Sequence, residues 1–225
     1  MKKGEVHVWV LPFNRVGEIY ENCEVVLTDG QLKKRDFLAF EQDKVAHVIS
    51  QGGLCLLLAA YLKIPAEDID LGREAKGKPF SLDNPSLQFN LSNSGEICTI
   101  AFGLDYPIGV DIEKVRKITD LETLISSNFT HGEIADIRRS SDTLTRFFQY
   151  WTMKESYLKA IGEGMRLTPN NLEFALDSVG VKLLSVNGVP DGDYWQFQLF
   201  KPAKAYVGTL SMSSEVKKVK IYRVE

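Results

Sequence analysis

Between Ile108 and Ile161 the apolar residues change their period, and that change decides what the chain can build. In Ile108-Gly109-Val110-Asp111-Ile112-Glu113 the β-branched residues alternate with the others, the period-two mark of a strand. From about Asp142 to Ile161, Leu144, Phe147, Phe148, Trp151, Leu158 and Ile161 recur at three and four residues and draw one stripe along a helix. Short strands and long helices in one chain, with no internal repeat, make the fold class α+β.

Both segments carry acid where it is costly. Glu155 falls on the helical stripe, four residues after Trp151 and three before Leu158, so its carboxylate sheds water and needs a partner or a metal. Lys159, one turn on, is one candidate, and a divalent cation is another. Asp111 and Glu113 share one face of their strand, where like charges repel unless a cation lies between them. Carboxylate oxygens with open positions for water and phosphate suit magnesium. Taken alone, an alternating acidic strand is also an ordinary solvated edge, and a glutamate on a stripe usually sits at the stripe's border.

At 225 residues the chain holds one ordinary domain or two small ones. A formal charge of −3 gives no general attraction to nucleic acid or to an anionic membrane, so an acidic partner must meet a local basic patch such as Lys114, Arg116, Lys117 and Arg138-Arg139. Cys23, Cys55 and Cys98 are odd in number and lack metal-ligand spacing, which points to buried thiols in a reducing compartment. The apolar run after Lys2-Lys3 is broken by Glu5 and His7, so it reads as a first strand rather than a signal peptide. No uninterrupted apolar stretch approaches the roughly twenty residues of a membrane helix, and a cytoplasmic location is the expectation.

Along the chain, Asn22 to Leu27 reads as a short extended piece and Asp29-Gly30 as a turn before the basic run Lys33-Lys34-Arg35. A long helix is expected from Glu41 to Lys63, closed by Pro65, with Gly52-Gly53 as a close-packing point or a place where ligand approaches. Lys76-Gly77-Lys78-Pro79 is a loop, and Leu87 to Phe102 reads as two strands around a turn at Ser92-Asn93-Ser94-Gly95. Asp120 to Ser127 is helical by pattern, and Thr130 with Glu133 has capping-box spacing ahead of a short helix ending near Arg139. Gly162-Glu163-Gly164 ends the long helix. Segments 172–175, 181–186, 195–200, 205–211 and 218–224 then suggest antiparallel strands, with turns at Asn187-Gly188 and Asp191-Gly192.

Taken in order and spacing, Gly77-Lys78-Pro79, Phe89-Asn90-Leu91-Ser92-Asn93-Ser94-Gly95, Gly109 through Glu113, and Trp151 through Lys159 resemble the 4'-phosphopantetheinyl transferases of the type that activates peptide synthetases. The likeness spans residues 31–180. It implies two similar α+β halves in a pseudo-twofold arrangement, residues 1–103 and 104–225, with coenzyme A in a cleft at their junction. It implies transfer of the phosphopantetheine arm of coenzyme A to a serine of an acyl or peptidyl carrier protein, with magnesium, by a monomer. Nucleic acid and membrane are not expected as partners. By motif match, Asp111 and Glu155 hold the ion with Glu113 as third ligand or neighbour, Glu155 takes the serine proton, and Lys159 faces the phosphates. Lys33, His47, Lys78, Pro79, Ser92 and Asn93, together with Asp111 and Lys159, are the coenzyme-contacting candidates, and Lys154 is expected to be structural or carrier-facing.

The chain departs from that family at two places. Asn93 stands where members carry a histidine, and an amide offers a hydrogen bond but no positive charge. Aligning His47 with a family histidine leaves Val48 and Leu57 where arginines reach the 3'-phosphate, so Lys33, Lys34, Arg35 and His47 are the replacements on offer; His47 is otherwise a helix-surface histidine. A non-catalytic relative that binds a carrier protein or a nucleotide is the alternative function.

Overall fold

A computed structural model describes residues 1–14, 17–163, 167–190 and 193–224. In chain order its elements are β1 (Glu5–Pro12), α1 (Glu18–Val25), α2 (Asp29–Asp36), α3 (Glu41–Leu62), β2 (Leu71–Arg73), β3 (Pro79–Ser81), β4 (Leu87–Ser94), β5 (Ile97–Leu104) and β6 (Ile108–Lys114). There follow α4 (Leu121–Asn128), α5 (His131–Arg139), α6 (Thr143–Ile161), β7 (Leu172–Leu176), β8 (Val181–Val186), β9 (Val189–Pro190), β10 (Trp195–Phe200), β11 (Tyr206–Ser213) and β12 (Lys218–Arg223). Helices and sheets are thus mixed, as an α+β chain requires.

The first sheet runs β12-β1-β5-β4 and the second β10-β11-β6. Both faces of each are used. One face of the first sheet buries Leu11, Phe89, Ile100 and Phe102 against Ile49, Leu54 and Leu58 of α3, each such side chain contributing roughly 1.5–3 kcal/mol. Its other face sends Val6, Val8 and Ala101 into a shared core with Ile108, Val110, Leu210 and Met212 of the second sheet. The strand alternation read from sequence explains this: Ile108, Val110 and Ile112 are all buried on one side of β6, and Gly109, Asp111 and Glu113 take the other.

On that other side lies α6, and Gly109 sets how close it comes. A Cβ there would stand 2.0 Å from the carbonyl oxygen of Ser156 and 2.5 Å from the amide nitrogen of Ala160, so only glycine lets helix and strand touch backbone to backbone. Small hydroxyl residues continue the contact: Thr152 Oγ1 meets Thr209 Oγ1 at 2.8 Å, and Ser156 Oγ meets Ser211 Oγ at 2.7 Å. Asp142 caps the start of α6 on the Thr145 amide, and Gly162, at φ 69°, ends it.

Several local expectations are corrected. Residues 22–25 are the end of helix α1, not an extended piece, because Gly52 on α3 leaves room for its backbone; a Cβ on Gly52 would lie 2.2 Å from the Cys23 carbonyl oxygen. Gly52 is therefore a packing point. Asp29-Gly30 lies inside α2, which starts there because Thr28 and Gln31 form both bonds of a capping box. Ser92, Asn93 and Ser94 belong to strand β4, and the turn is Gly95-Glu96, with Gly95 at φ 55°. β12 pairs parallel, not antiparallel, with β1, so residues 218–223 return to the first sheet although the expected break falls near residue 104, the end of β5. The capping box of Thr130 and Glu133 is present, and Asn187-Gly188 forms a turn with φ positive at both residues, as a two-residue hairpin loop requires. Gly164 and the Asp191-Gly192 turn lie outside the described residues.

α3 has the length and apolarity of a membrane-crossing helix, but Val48, Ile49, Leu54 and Leu58 are packed inside the fold. The three cysteines are buried thiols; burial pushes Cys23 up to about 11 and Cys98 up to about 12.

Candidate active site

Three elements converge where the two sheets meet: β6 brings Asp111 and Glu113, α6 brings Glu155 and Lys159, and β4 brings Ser92 and Ser94. Asp111 is 6% exposed. Its Oδ1 accepts from Lys159 Nζ at 2.7 Å and from Ser92 Oγ at 2.8 Å, while Oδ2 is buried with no hydrogen-bond partner among the described residues. Lys159 Nζ also donates to Ser92 Oγ at 3.0 Å and the Val110 carbonyl at 3.3 Å. Glu113 turns outward, accepting from Ser94 Oγ at 2.7 Å and pairing with Arg116 at 3.3 Å. Glu155 makes no hydrogen bond or ion pair among the described residues.

The electrostatics are those of acid crowded into a dry place. Burial pushes the Asp111 carboxyl above the usual range against the pull of Lys159 and the hydrogen bond of Ser92. Glu155 is raised too, first by burial, then by the charge of Asp111, with Lys159 opposing and Glu113 adding to the rise. A raised carboxyl with no partner, beside a buried oxygen with none, is a costly arrangement that a cation would relieve.

A magnesium ion fits this donor set in part. Hard carboxylate oxygens are the right chemistry, and Asp111 Oδ2 is a buried acceptor in want of a donor or a metal. The three-carboxylate cage expected from sequence is not assembled: among the described residues no three histidine, cysteine or acidic side chains converge to hold an ion. Glu113 is drawn away by Ser94 and Arg116.

Comparison with known proteins gives the family of the chain. A family model described as the 4'-phosphopantetheinyl transferase superfamily matches residues 107–211, and one described as 4'-phosphopantetheinyl transferase, N-terminal, matches residues 22–103. The 4'-phosphopantetheinyl transferase HetI of Nostoc sp. is 31% identical over 166 residues, covering 72% of this chain and 70% of that protein. The chain belongs to the 4'-phosphopantetheinyl transferase superfamily. The human L-aminoadipate-semialdehyde dehydrogenase-phosphopantetheinyl transferase is 31% identical over 157 residues, 64% of this chain and 51% of that one, so the chain spans about half the length of such vertebrate relatives. Among solved structures, holo-[acyl-carrier-protein] synthase from Neisseria meningitidis aligns at a TM-score of 0.41 and 16% identity, over 48% of this chain and 97% of that one.

For a phosphopantetheinyl transferase, the other candidate residues are unevenly placed. Lys78 spends its ammonium on the Ala160 carbonyl at 2.8 Å and the Ile108 carbonyl at 3.3 Å, capping the end of α6; burial lowers its pKa. His47 Nε2 lies 3.0 Å from the Gln31 carbonyl, and burial lowers its pKa, with Lys34 and Arg35 adding to the effect. Asn93 Oδ1 accepts from Ser50 Oγ at 3.1 Å. Arg35 is paired with Glu24 and Asp36.

Pro79, His47 and Asn90 line a cavity of about 570 Å³ between α2, α3, β2 and β4, together with Lys34 and Arg73. Lys33 is not among its lining residues. Sequence reasoning missed Arg73, which nothing in its short strand marks out. Lys154, expected to be structural or carrier-facing, takes the structural role, with Nζ meeting Glu133 at 2.7 Å and the Leu172 carbonyl at 2.6 Å, partners that sequence reasoning did not name.

Proposed function

We propose that this chain moves the 4'-phosphopantetheine arm of coenzyme A to a serine of an acyl or peptidyl carrier protein, with magnesium held by Asp111 and Glu155. Membership of the superfamily supports the reaction class, and the relatives named for it include HetI and the human enzyme. The observation that carries the assignment of the site is the bare buried Oδ2 of Asp111 beside a Glu155 whose pKa its charge raises. Glu113, tied to Ser94 and Arg116, acts from outside as a neighbouring charge.

Phosphoryl transfer depends on positioning and charge neutralisation more than on covalent help. An ion held by Asp111 and Glu155 would supply neutralisation of the pyrophosphate charge. The carrier serine oxygen bonds to the phosphorus that bears the pantetheine, and the bond from that phosphorus to the bridging oxygen breaks, releasing adenosine 3',5'-bisphosphate. Glu155 takes the serine proton, directly or through one water, and its raised pKa suits it to that work. Lys159, partly exposed at the rim, faces the phosphate that departs with the nucleotide. The cavity lined by Lys34, Arg73 and Pro79 takes the nucleotide end.

A second reading, a relative that binds carrier or nucleotide without turnover, draws on Lys78 and His47 being engaged by backbone carbonyls. Incubation with magnesium, coenzyme A and apo carrier proteins separates the two. A pantetheinyl adduct by mass spectrometry is the expected result; binding of a carrier with no adduct across several carriers would establish the second reading.

A further inference from the structure

β4 and β6 lie side by side but in different sheets, and side chains make the join. The backbone amides of Val110, Ile112 and Lys114 donate to Asn90 Oδ1 at 2.8 Å, Ser92 Oγ at 3.3 Å and Ser94 Oγ at 3.0 Å. Each serine then gives its own proton to the carboxylate one residue earlier on β6, Ser92 to Asp111 and Ser94 to Glu113. A hydroxyl has one proton and two lone pairs. On Ser92 the lone pairs are taken by the Ile112 amide and by Lys159 Nζ, so its proton is committed to Asp111 Oδ1. The carboxylate is thereby fixed with Oδ1 satisfied and Oδ2 bare.

We propose that Ser92, and to a smaller degree Ser94, are positioning residues that lock the acidic side chains of β6 so that Asp111 presents Oδ2 to a divalent cation. This rests on the proposed magnesium-dependent transfer and replaces the sequence expectation that Ser92 contacts coenzyme A. The more exposed Ser94 acts on Glu113, which Arg116 also holds, and that is why its effect is smaller.

The test is titration of the purified protein with Mn2+, followed by the electron paramagnetic resonance signal of the free ion, beside steady-state kinetics and thermal melts. Ser92→Ala is expected to weaken Mn2+ binding about tenfold, the scale seen when groups that orient metal ligands are removed, and Ser94→Ala about threefold. Ser92→Thr, which keeps the hydroxyl, is expected to stay within about twofold of wild type. KM for coenzyme A should move less than about twofold in all three, with kcat at fixed Mg2+ following metal occupancy. Should Ser92→Ala not fold, Ser92→Cys, near in size with a weak donor, gives the same reading.

Unchanged Mn2+ affinity in the Ala or Cys variant overturns the proposal, whatever the melting temperature does. A rise in KM for coenzyme A at unchanged Mn2+ affinity overturns it as well and returns Ser92 to substrate contact. A wild-type protein that neither binds Mn2+ nor loads a carrier sinks the proposed function itself, whereas an active, metal-binding wild type with an unaltered Ser92→Ala sinks this inference alone.

Discussion

Helix α6 carries two lysine–carboxylate pairs five residues apart, each with a closest approach of 2.7 Å, and they differ in whether the network around them closes. At Lys154 every donor is used: Glu133, the Pro169 carbonyl and the Leu172 carbonyl take its three protons. Glu133 is equally saturated, accepting from the Thr130 and Phe174 amides as well. Both side chains are essentially unexposed, at 0 and 1%. At Asp111 and Lys159 the closure fails by one atom, Oδ2, and Glu155, with no hydrogen bond or ion pair among the described residues, feels the charge of Asp111. The lesson is that a closed buried pair satisfies its own charges and holds the fold, while an open one leaves a buried acceptor that the pair itself does not satisfy.

The largest expected effect breaks the comparison on its open side. Glu155→Gln should lower carrier loading roughly a thousandfold, within the range of a lost general base, while the melting temperature holds or rises because a half-buried like charge has been removed. Turnover within tenfold of wild type would take Glu155 out of the mechanism.

On the closed side the effect should appear in stability. Lys154→Met leaves Glu133 buried and unpaired and should cost about 3–5 kcal/mol, read as a drop in the denaturant midpoint. Glu133→Leu with Lys154→Met together should recover most of that loss, with loading by the folded double variant within a few-fold of wild type. Stability recovered but activity lost would mean the closed pair also serves the reaction.

A smaller shift should show in the pH profile. Glu155 must be ionised to accept a proton, so activity rises with pH through its pKa, which burial, then Asp111 and Glu113, hold above the ordinary range. Removing the like charge with Glu113→Gln lowers that pKa, so the acidic limb of kcat should move to lower pH. A limb that stays in place, or moves up, would show that Glu113 does not act through Glu155.

Last comes the cavity proposed for the nucleotide end, where the same contrast between spent and free charge sharpens the point. Lys34 lines it, whereas His47 is tied to a carbonyl. Lys34→Ala should raise KM for coenzyme A about threefold and His47→Gln less than twofold, in keeping with a partly solvated charge contact. With Asn93 in place of a histidine, discrimination against dephospho-coenzyme A should also be weaker than in histidine-bearing relatives, measured as a ratio of kcat/KM.

The acids around the open pair were legible in sequence, but the pairing was not, since Lys159, expected as a partner of Glu155, bonds Asp111 instead, and the closed pair was not legible at all, for physical reasons. Asp111 and Glu113 declare themselves because β-branched neighbours fix their phase, and Glu155 because it interrupts a stripe. Lys154 reads only as structural or carrier-facing, since nothing in a sequence says that Glu133, noticed only as half of a capping box, will reach it across a helix interface. The ladder from Asn90, Ser92 and Ser94 was written as polar alternation on β4, but Ser92-Asn93-Ser94-Gly95 has the composition of a turn and was read as one. Helix α1 was missed because its support comes from Gly52 on another helix, a tertiary contact that local propensity does not contain.

The parallel pairing of Glu5 with Lys218 has a bearing on synthesis. During synthesis β1 is made long before β12, and the edge that β12 covers stays unprotected until residues 218–223 emerge, a long-range closure of the kind that slows folding and exposes strand edges to other chains. β1 thus waits for β12, and a chain interrupted before residue 218 would present a bare β edge to aggregation or to a chaperone.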